Sequence, residues 1–176
     1  MPATLLLEPH PDTPLAWLAN LRVTAGFRPD GALALAYRLH GDLARMRVPP
    51  PQQPTDGLWR HTCCEAFILG ADAPVYREFN FSPSGAWAAY RFSAYREAGE
   101  HLVLADPGIV CRVTADQLDL EVSIAAAALP PGPLRLGLAA VIEAAAGGLS
   151  YWALRHPPGR PDFHDPDSFA LELARP

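Results

Sequence analysis

"QLDLEVSI", residues 117–124, alternates without a fault: Leu118, Leu120, Val122 and Ile124 take one side, Gln117, Asp119, Glu121 and Ser123 the other. Successive side chains of a strand point to opposite faces, so a period of two predicts a strand with one face buried and one solvated. "ALALAYRLHG" (32–41) repeats the pattern with Leu33, Leu35, Tyr37 and Leu39. Outward from these two, strands are predicted over 17–24, 64–69, 75–81, 86–93, 109–114, 134–143, 149–154 and 168–173. About ten short strands separated by turn residues predict an all-β sandwich or barrel.

Helix has little room, because 20 prolines and 13 glycines interrupt the chain at intervals shorter than a typical helix. One turn of helix is predicted, "AAAAL" at 125–129, closed by Pro130, Pro131 and Gly132. Two proline-rich loops, 45–57 and 155–168, read as coverings over one end of the sandwich. The 176 residues form a single domain, 1–176, with no internal repeat. A chain of this length buries roughly 70% of its unfolded surface and needs no staple to fold.

Composition narrows the function classes. All fourteen basic residues are arginines, spread singly, against 19 acids, for a net charge of −5. Nucleic acid is not expected as a partner, because phosphate binding needs concentrated positive charge. The opening "MPATLLLEPHPDTP" lacks the basic start and long apolar run of an export signal, and no stretch approaches the roughly 20 apolar residues of a membrane span. A cytoplasmic location without membrane partners is the default expectation. Three cysteines suit a reducing compartment, and the neighbours Cys63 and Cys64 fall on opposite faces of a strand.

Two of the candidate binding residues, Glu78 and Asn80, open the stretch "EFNFSPSGAWAAYRF" at 78–92. If Phe79 and Phe81 face the core, Glu78 and Asn80 share the other face of the strand, and Trp87 packs. Glu65 is the single charge in "HTCCEAFIL", so a buried carboxylate there needs either a partner, for which Arg77 and Arg91 are available, or a ligand. Trp59 ends one proline-rich loop and Trp152 precedes the other. Both could be platforms, since the C–H face of a sugar lies flat on an aromatic ring while its hydroxyls need groups that donate and accept.

No nucleophile motif, phosphate loop or dinucleotide fingerprint occurs, so the chain reads as a binding protein, not an enzyme. Glu65 and Glu78 as paired carboxylates of a glycoside hydrolase form one alternative. A metal site among His156, Asp162, His164, Asp165 and Asp167, or haem with Met46 or a histidine as axial ligand, forms another.

The segments "LWRHTCCEAFI", "YREFNFSPSGAWAAYRF", "LRLGLAAVIE" and "SYWALRHPPGRPDFHDPDSFALEL" together resemble the bacterial DOMON-like proteins related to family-nine carbohydrate-binding modules. The likeness runs over 58–173. It implies an antiparallel immunoglobulin-like or jelly-roll β-sandwich that binds a sugar or sugar-like small molecule and needs no cofactor, although other DOMON domains hold haem. By position, Trp59 and Glu65 match the Trp and Glu of an early strand in the sugar-binding modules. Glu78 and Asn80 match the polar pair before the Pro83-Ser84-Gly85 turn, Trp152 is the candidate second platform, and Arg77 or Arg91 the charge partner.

Overall fold

The computed structural model describes residues 2–50, 56–97 and 99–175, so the centre of the 45–57 loop lies outside the described residues. Twelve strands occur among them: β1 (Ala3–Pro9), β2 (Leu18–Phe27), β3 (Leu33–Gly41), β4 (Cys63–Leu69), β5 (Tyr76–Phe81), β6 (Trp87–Phe92), β7 (Glu100–His101), β8 (Val110–Val113), β9 (Gln117–Ile124), β10 (Leu134–Glu143), β11 (Leu149–Ala153) and β12 (Leu171–Leu173). All pairings are antiparallel. The chain is all-β, as the alternation of its sequence requires. The helical turn predicted at 125–129 is a short 3-10 turn, Ala126–Ala128.

Every predicted strand is present, and two further ones join them. The sequence hides β1 because Leu6, in the middle of Leu5-Leu6-Leu7, is 43% exposed and so breaks the apolar period with an outward leucine. The two residues of β7 are too few to carry any period. Strand order is β7-β6-β5-β4-β10-β11-β1-β2-β3-β9-β8, with β12 beside β10. Within it β1 changes partner, giving residues 3–7 to β2 and Glu8 and Pro9 to β11.

The strands on either side of that change form two sheets over one core. Val23, Leu35, Leu39, Leu120 and Val122 from the first sheet cluster with Ile68, Phe79, Phe81, Leu136, Leu138 and Trp152 from the second. Each fully buried Leu, Ile, Val or Phe contributes about 1.5–3 kcal/mol relative to exposure. Tyr37 crosses between the sheets, and its buried hydroxyl donates to the Glu65 carbonyl at 2.7 Å, which removes the cost of burying it.

The outer face of the second sheet is covered too, so all seven residues of β4 are buried. Phe163 and Phe169 pack against Phe67, Tyr76, Ala139 and Val141 in a second apolar cluster. Phe169 stacks on Phe67 at 6.1 Å and closes over Gly137, where a Cβ would stand 2.7 Å from the Phe169 ring. Of the two proline-rich loops, the second therefore does not cap an end of the sandwich, as the sequence suggested. It lies along the outer face of one sheet, because the phenylalanines of "PDFHDPDSF" need an apolar surface and Phe67, Tyr76 and Phe92 supply it.

Candidate binding site

The outer face of the second sheet is tiled in rows by its registers. One row runs Gly137, Phe67, Glu78, Tyr90, His101 across β10, β4, β5, β6 and β7. The next runs Ala153, Ala139, Glu65, Asn80, Ala88 from β11 to β6. Alternation puts Glu78 and Asn80 on the face opposite Phe79 and Phe81, as the sequence predicted, and the register adds Glu65 to that face. Small neighbours in the second row leave space above the acids, and the covering segments close that space into a cavity of about 530 Å³. This is within the roughly 300–1,000 Å³ of small-molecule sites.

Three segments wall the cavity. Trp59, in the 3-10 turn Leu58–Arg60 that follows left-handed Gly57, stands at the rim, 37% exposed, with its ring edge-on to Tyr90 at 5.9 Å. Arg96 comes from the turn after β6 and is itself left-handed, with φ of 51°. A non-glycine residue held there costs energy that surrounding bonds must offset. Its backbone N–H donates to the Tyr76 hydroxyl oxygen at 3.2 Å and its guanidinium donates to Asp162 at 2.8 Å. Pro161, Phe163 and His164 descend from the second proline-rich segment, and Tyr151 and Phe92 complete the aromatic lining.

The polar groups sit at the floor. Asn80 donates from Nδ2 to Glu78 Oε1 at 2.7 Å. His164 Nε2 lies 3.6 Å from Glu78 Oε2, while Nδ1 is 2.8 Å from the Tyr76 hydroxyl. Burial, then Arg96, push the His164 imidazole down to about 4, so it is neutral near pH 7. The two ring nitrogens of His164 thus face Tyr76 on one side and Glu78 on the other. Burial raises Glu78 to about 7, against the Asn80 bond and Arg96, which lower it. Glu65 is raised further from the ordinary carboxylate range, first by burial and then by the neighbouring Glu78 charge. Among the described residues, Glu65 Oε1 and Asn80 Oδ1 are buried without any hydrogen-bond partner. At the mouth, Tyr90 donates to Asp56 at 2.7 Å.

Of the residues singled out in the sequence, Trp59, Glu65 and Glu78 line this cavity, and Asn80 lies between the two acids in the floor. Trp152 does not. Its ring is buried between the sheets, with Nε1 donating to Ser150 at 3.0 Å, and the residue of β11 that faces the cavity is its neighbour Tyr151. A one-residue shift of phase on a strand reverses the face, and the aromatic pair in "LSYWAL" allows either phase. Arg77 and Arg91 pair across β5 and β6 on the face opposite Glu78, and Arg77 donates to the Ala128 carbonyl. Neither is a charge partner for Glu65 or Glu78, because odd and even residues of β5 point apart.

The sequence reading missed Tyr90, Phe92, Arg96, His101, Tyr151, Phe163 and His164 as lining residues. Tyr-Arg occurs at 37–38, 76–77, 90–91 and 95–96, and the middle two held a usable signal, since Tyr76 and Tyr90 point to the outer face while the arginines after them point away. His156 is turned from the cavity and bonds the Glu8 carbonyl. No set of three His, Cys, Asp or Glu side chains is grouped to hold a metal ion among the described residues. The donor set also does not suit haem: Met46 belongs to the core between the sheets, both nitrogens of His164 face residues of the site, and the floor carries buried acids. No helix among the described residues is long and apolar enough to cross a membrane.

No family model and no curated protein matches the sequence. Among solved structures, a "putative carbohydrate-binding protein" from Bacteroides uniformis is similar with a TM-score of 0.73 and 14% identity, over 98% of this chain and 85% of that chain. A family 9 carbohydrate-binding module from Caldicellulosiruptor kristjanssonii in complex with glucose gives a TM-score of 0.49 at 14% identity, over 96% and 83% of the two chains. A module of the same family and organism in complex with cellotriose gives 0.46 at 13%, over 87% and 75%. At such identity the first likeness extends to the fold alone.

Proposed function

We propose that this chain is a non-catalytic, DOMON-like domain that holds a small sugar in the cavity on the outer face of its second sheet. The observation that carries the reading is the pairing, in one enclosure, of aromatic faces with buried acceptors that lack partners. Trp59, Tyr90, Phe92 and Tyr151 surround Glu65, Glu78 and Asn80. Rings take the C–H faces of a pyranose and acceptors take its hydroxyls, so the two halves of a sugar meet the two halves of the cavity. The Bacteroides uniformis protein of similar fold, described as carbohydrate-binding, agrees with this reading. A cytoplasmic protein of this kind would meet monosaccharides and short derivatives, to which a cavity of this volume is suited.

In this role Trp59 is the exposed platform, Tyr151 takes the place first given to Trp152, and Glu65, Glu78 and Asn80 bind hydroxyl or amino groups. Titration calorimetry with a panel of neutral and charged mono- and disaccharides tests it. Trp59→Ala is expected to weaken the best ligand about tenfold, the loss of roughly one stacking contact, while thermal unfolding stays where it was. A panel that yields no binding at millimolar concentration would overturn the reading.

The two neighbouring glutamates, one raised to about 7, also favour a second reading, a glycoside hydrolase with an acid and a nucleophile or base. Release of aryl leaving groups from glycosides, lost in Glu65→Gln and in Glu78→Gln, would establish it. Turnover equal to that of the Gln variants would remove it.

A further inference from the structure

Acidic side chains outnumber basic ones around the cavity. Asp56, Glu65 and Glu78 line it, against the single guanidinium of Arg96, and that cation already bonds Asp162 at 2.8 Å. His164 adds no positive charge near pH 7. Nor do the hydrogen bonds balance, since Asn80 has committed its amide N–H to Glu78 and presents an unpartnered oxygen beside the unpartnered Oε1 of Glu65. Glu65 is 2% exposed and faces the cavity, so a polar atom that water would normally serve has been buried and left open. A buried polar atom without a partner is unfavourable until something fills it. The floor thus holds two open acceptor atoms beside ionisable acids.

A neutral hydroxyl brings one donor and no charge. An ammonium brings three donors and a positive charge, and the faces of Trp59, Tyr90 and Phe92 add the attraction of aromatic rings for a cation. We propose that the sugar taken by this cavity is an amino sugar, an aminodeoxyhexose or a close relative, with its protonated primary amine on Glu65, Asn80 and Glu78. This rests on the carbohydrate reading of the cavity and names the ligand class within it. It also has a proton signature. Both acids favour their neutral forms in the empty site, and an incoming ammonium drives them to carboxylates, so binding releases protons to the buffer.

The test is titration calorimetry of the full chain with glucosamine, glucose, N-acetylglucosamine and cyclohexylamine, at a pH where both amines are protonated and in two buffers of different ionisation enthalpy. Glucosamine is expected to bind at least about tenfold more tightly than glucose or N-acetylglucosamine, with proton release seen only for the amines. Glu78→Gln and, independently, Glu65→Gln are expected to erase the preference. Glucose binding as tightly as glucosamine, or no proton release, would overturn the amino-sugar inference and leave the carbohydrate reading standing. Cyclohexylamine binding as tightly as glucosamine would keep the amine site and remove the sugar. Failure of all four ligands would remove both.

Discussion

The two sheets carry charge on their outer faces in different ways. On the first, Arg38 of β3 sits opposite Asp119 of β9 and donates to it at 2.5 Å, in water, with Arg38 57% exposed. On the second, Glu65 and Glu78 occupy equivalent outward positions of β4 and β5, yet they are 2% and 4% exposed, and among the described residues the guanidinium that lines their cavity, Arg96, bonds Asp162 instead. Both faces alternate in sequence in the same manner. What differs is the covering, since Phe163 and Phe169 turn one solvated face into an interior. A charge in water can be paired or solvated at little cost, whereas a charge under a roof must find a partner, lose its proton balance or wait for a ligand. Glu78 has a partner in Asn80, both acids are shifted toward their neutral forms, and Oε1 of Glu65 stays open.

Removing the roof should break this contrast most strongly. Phe169→Ala deletes a buried ring over Gly137 and Phe67, and is expected to cost about 3–5 kcal/mol in urea unfolding and to abolish sugar binding. A cost below about 1 kcal/mol would mean that the covering is no part of the folded core.

The next effect separates the faces by pH. Glu78 has its folded value raised to about 7 from an ordinary 4.5, so the folded state holds the proton more tightly than the unfolded state. Its contribution is fully present below the unfolded value and is lost as pH rises through about 7. Glu65 is shifted in the same sense. Stability is therefore expected to fall, by on the order of 2–3 kcal/mol, between pH 5 and pH 8, and Glu78→Gln should flatten that slope in chemical denaturation. A slope unchanged in the variant would show that Glu78 is ionised throughout. The smallest effect belongs to the open face: Arg38→Ala should leave the unfolding midpoint in place, because an exposed ion pair is screened and loses side-chain freedom when it forms. A clear drop in melting temperature would show that the first sheet depends on its surface charges as well.

The sequence made most strands legible through a period of two or a short apolar run, and "QLDLEVSI" and "YREFNF" declared which residues share a face. It could not declare what lies on that face. Asp119 and Glu78 look alike in a strand of alternating type, and only the long-range return of Phe163 and Phe169 distinguishes solvent from cavity. Glu65 was more legible, as a lone charge in an otherwise apolar run. Trp152 was misplaced because two adjacent aromatics leave the phase of β11 open, and phase is set by its partners, Ala140 on one side and Pro9 on the other. Arg77 and Arg91 were offered as partners on nearness in sequence, although their parity on β5 and β6 already turned them from Glu78.

The change of partner within β1 has a further consequence, for the order of assembly. Its first part pairs with β2, the next strand in the chain, so the β1-β2-β3 meander can form as soon as those residues exist. Its last part waits for β11, since Glu8 pairs with Ala153 across almost the whole chain. Closing so distant a pair comes after a large loss of chain entropy and slows folding. The seam between the two sheets is thus expected to close late, with pulse-labelled amide protection at β11 developing after that at β2 and β3. Simultaneous protection would mean that both sheets condense in one step. A nascent chain would carry its first sheet, complete but for β8 and β9, with one edge of β1 exposed until the far end of the protein arrives to cover it.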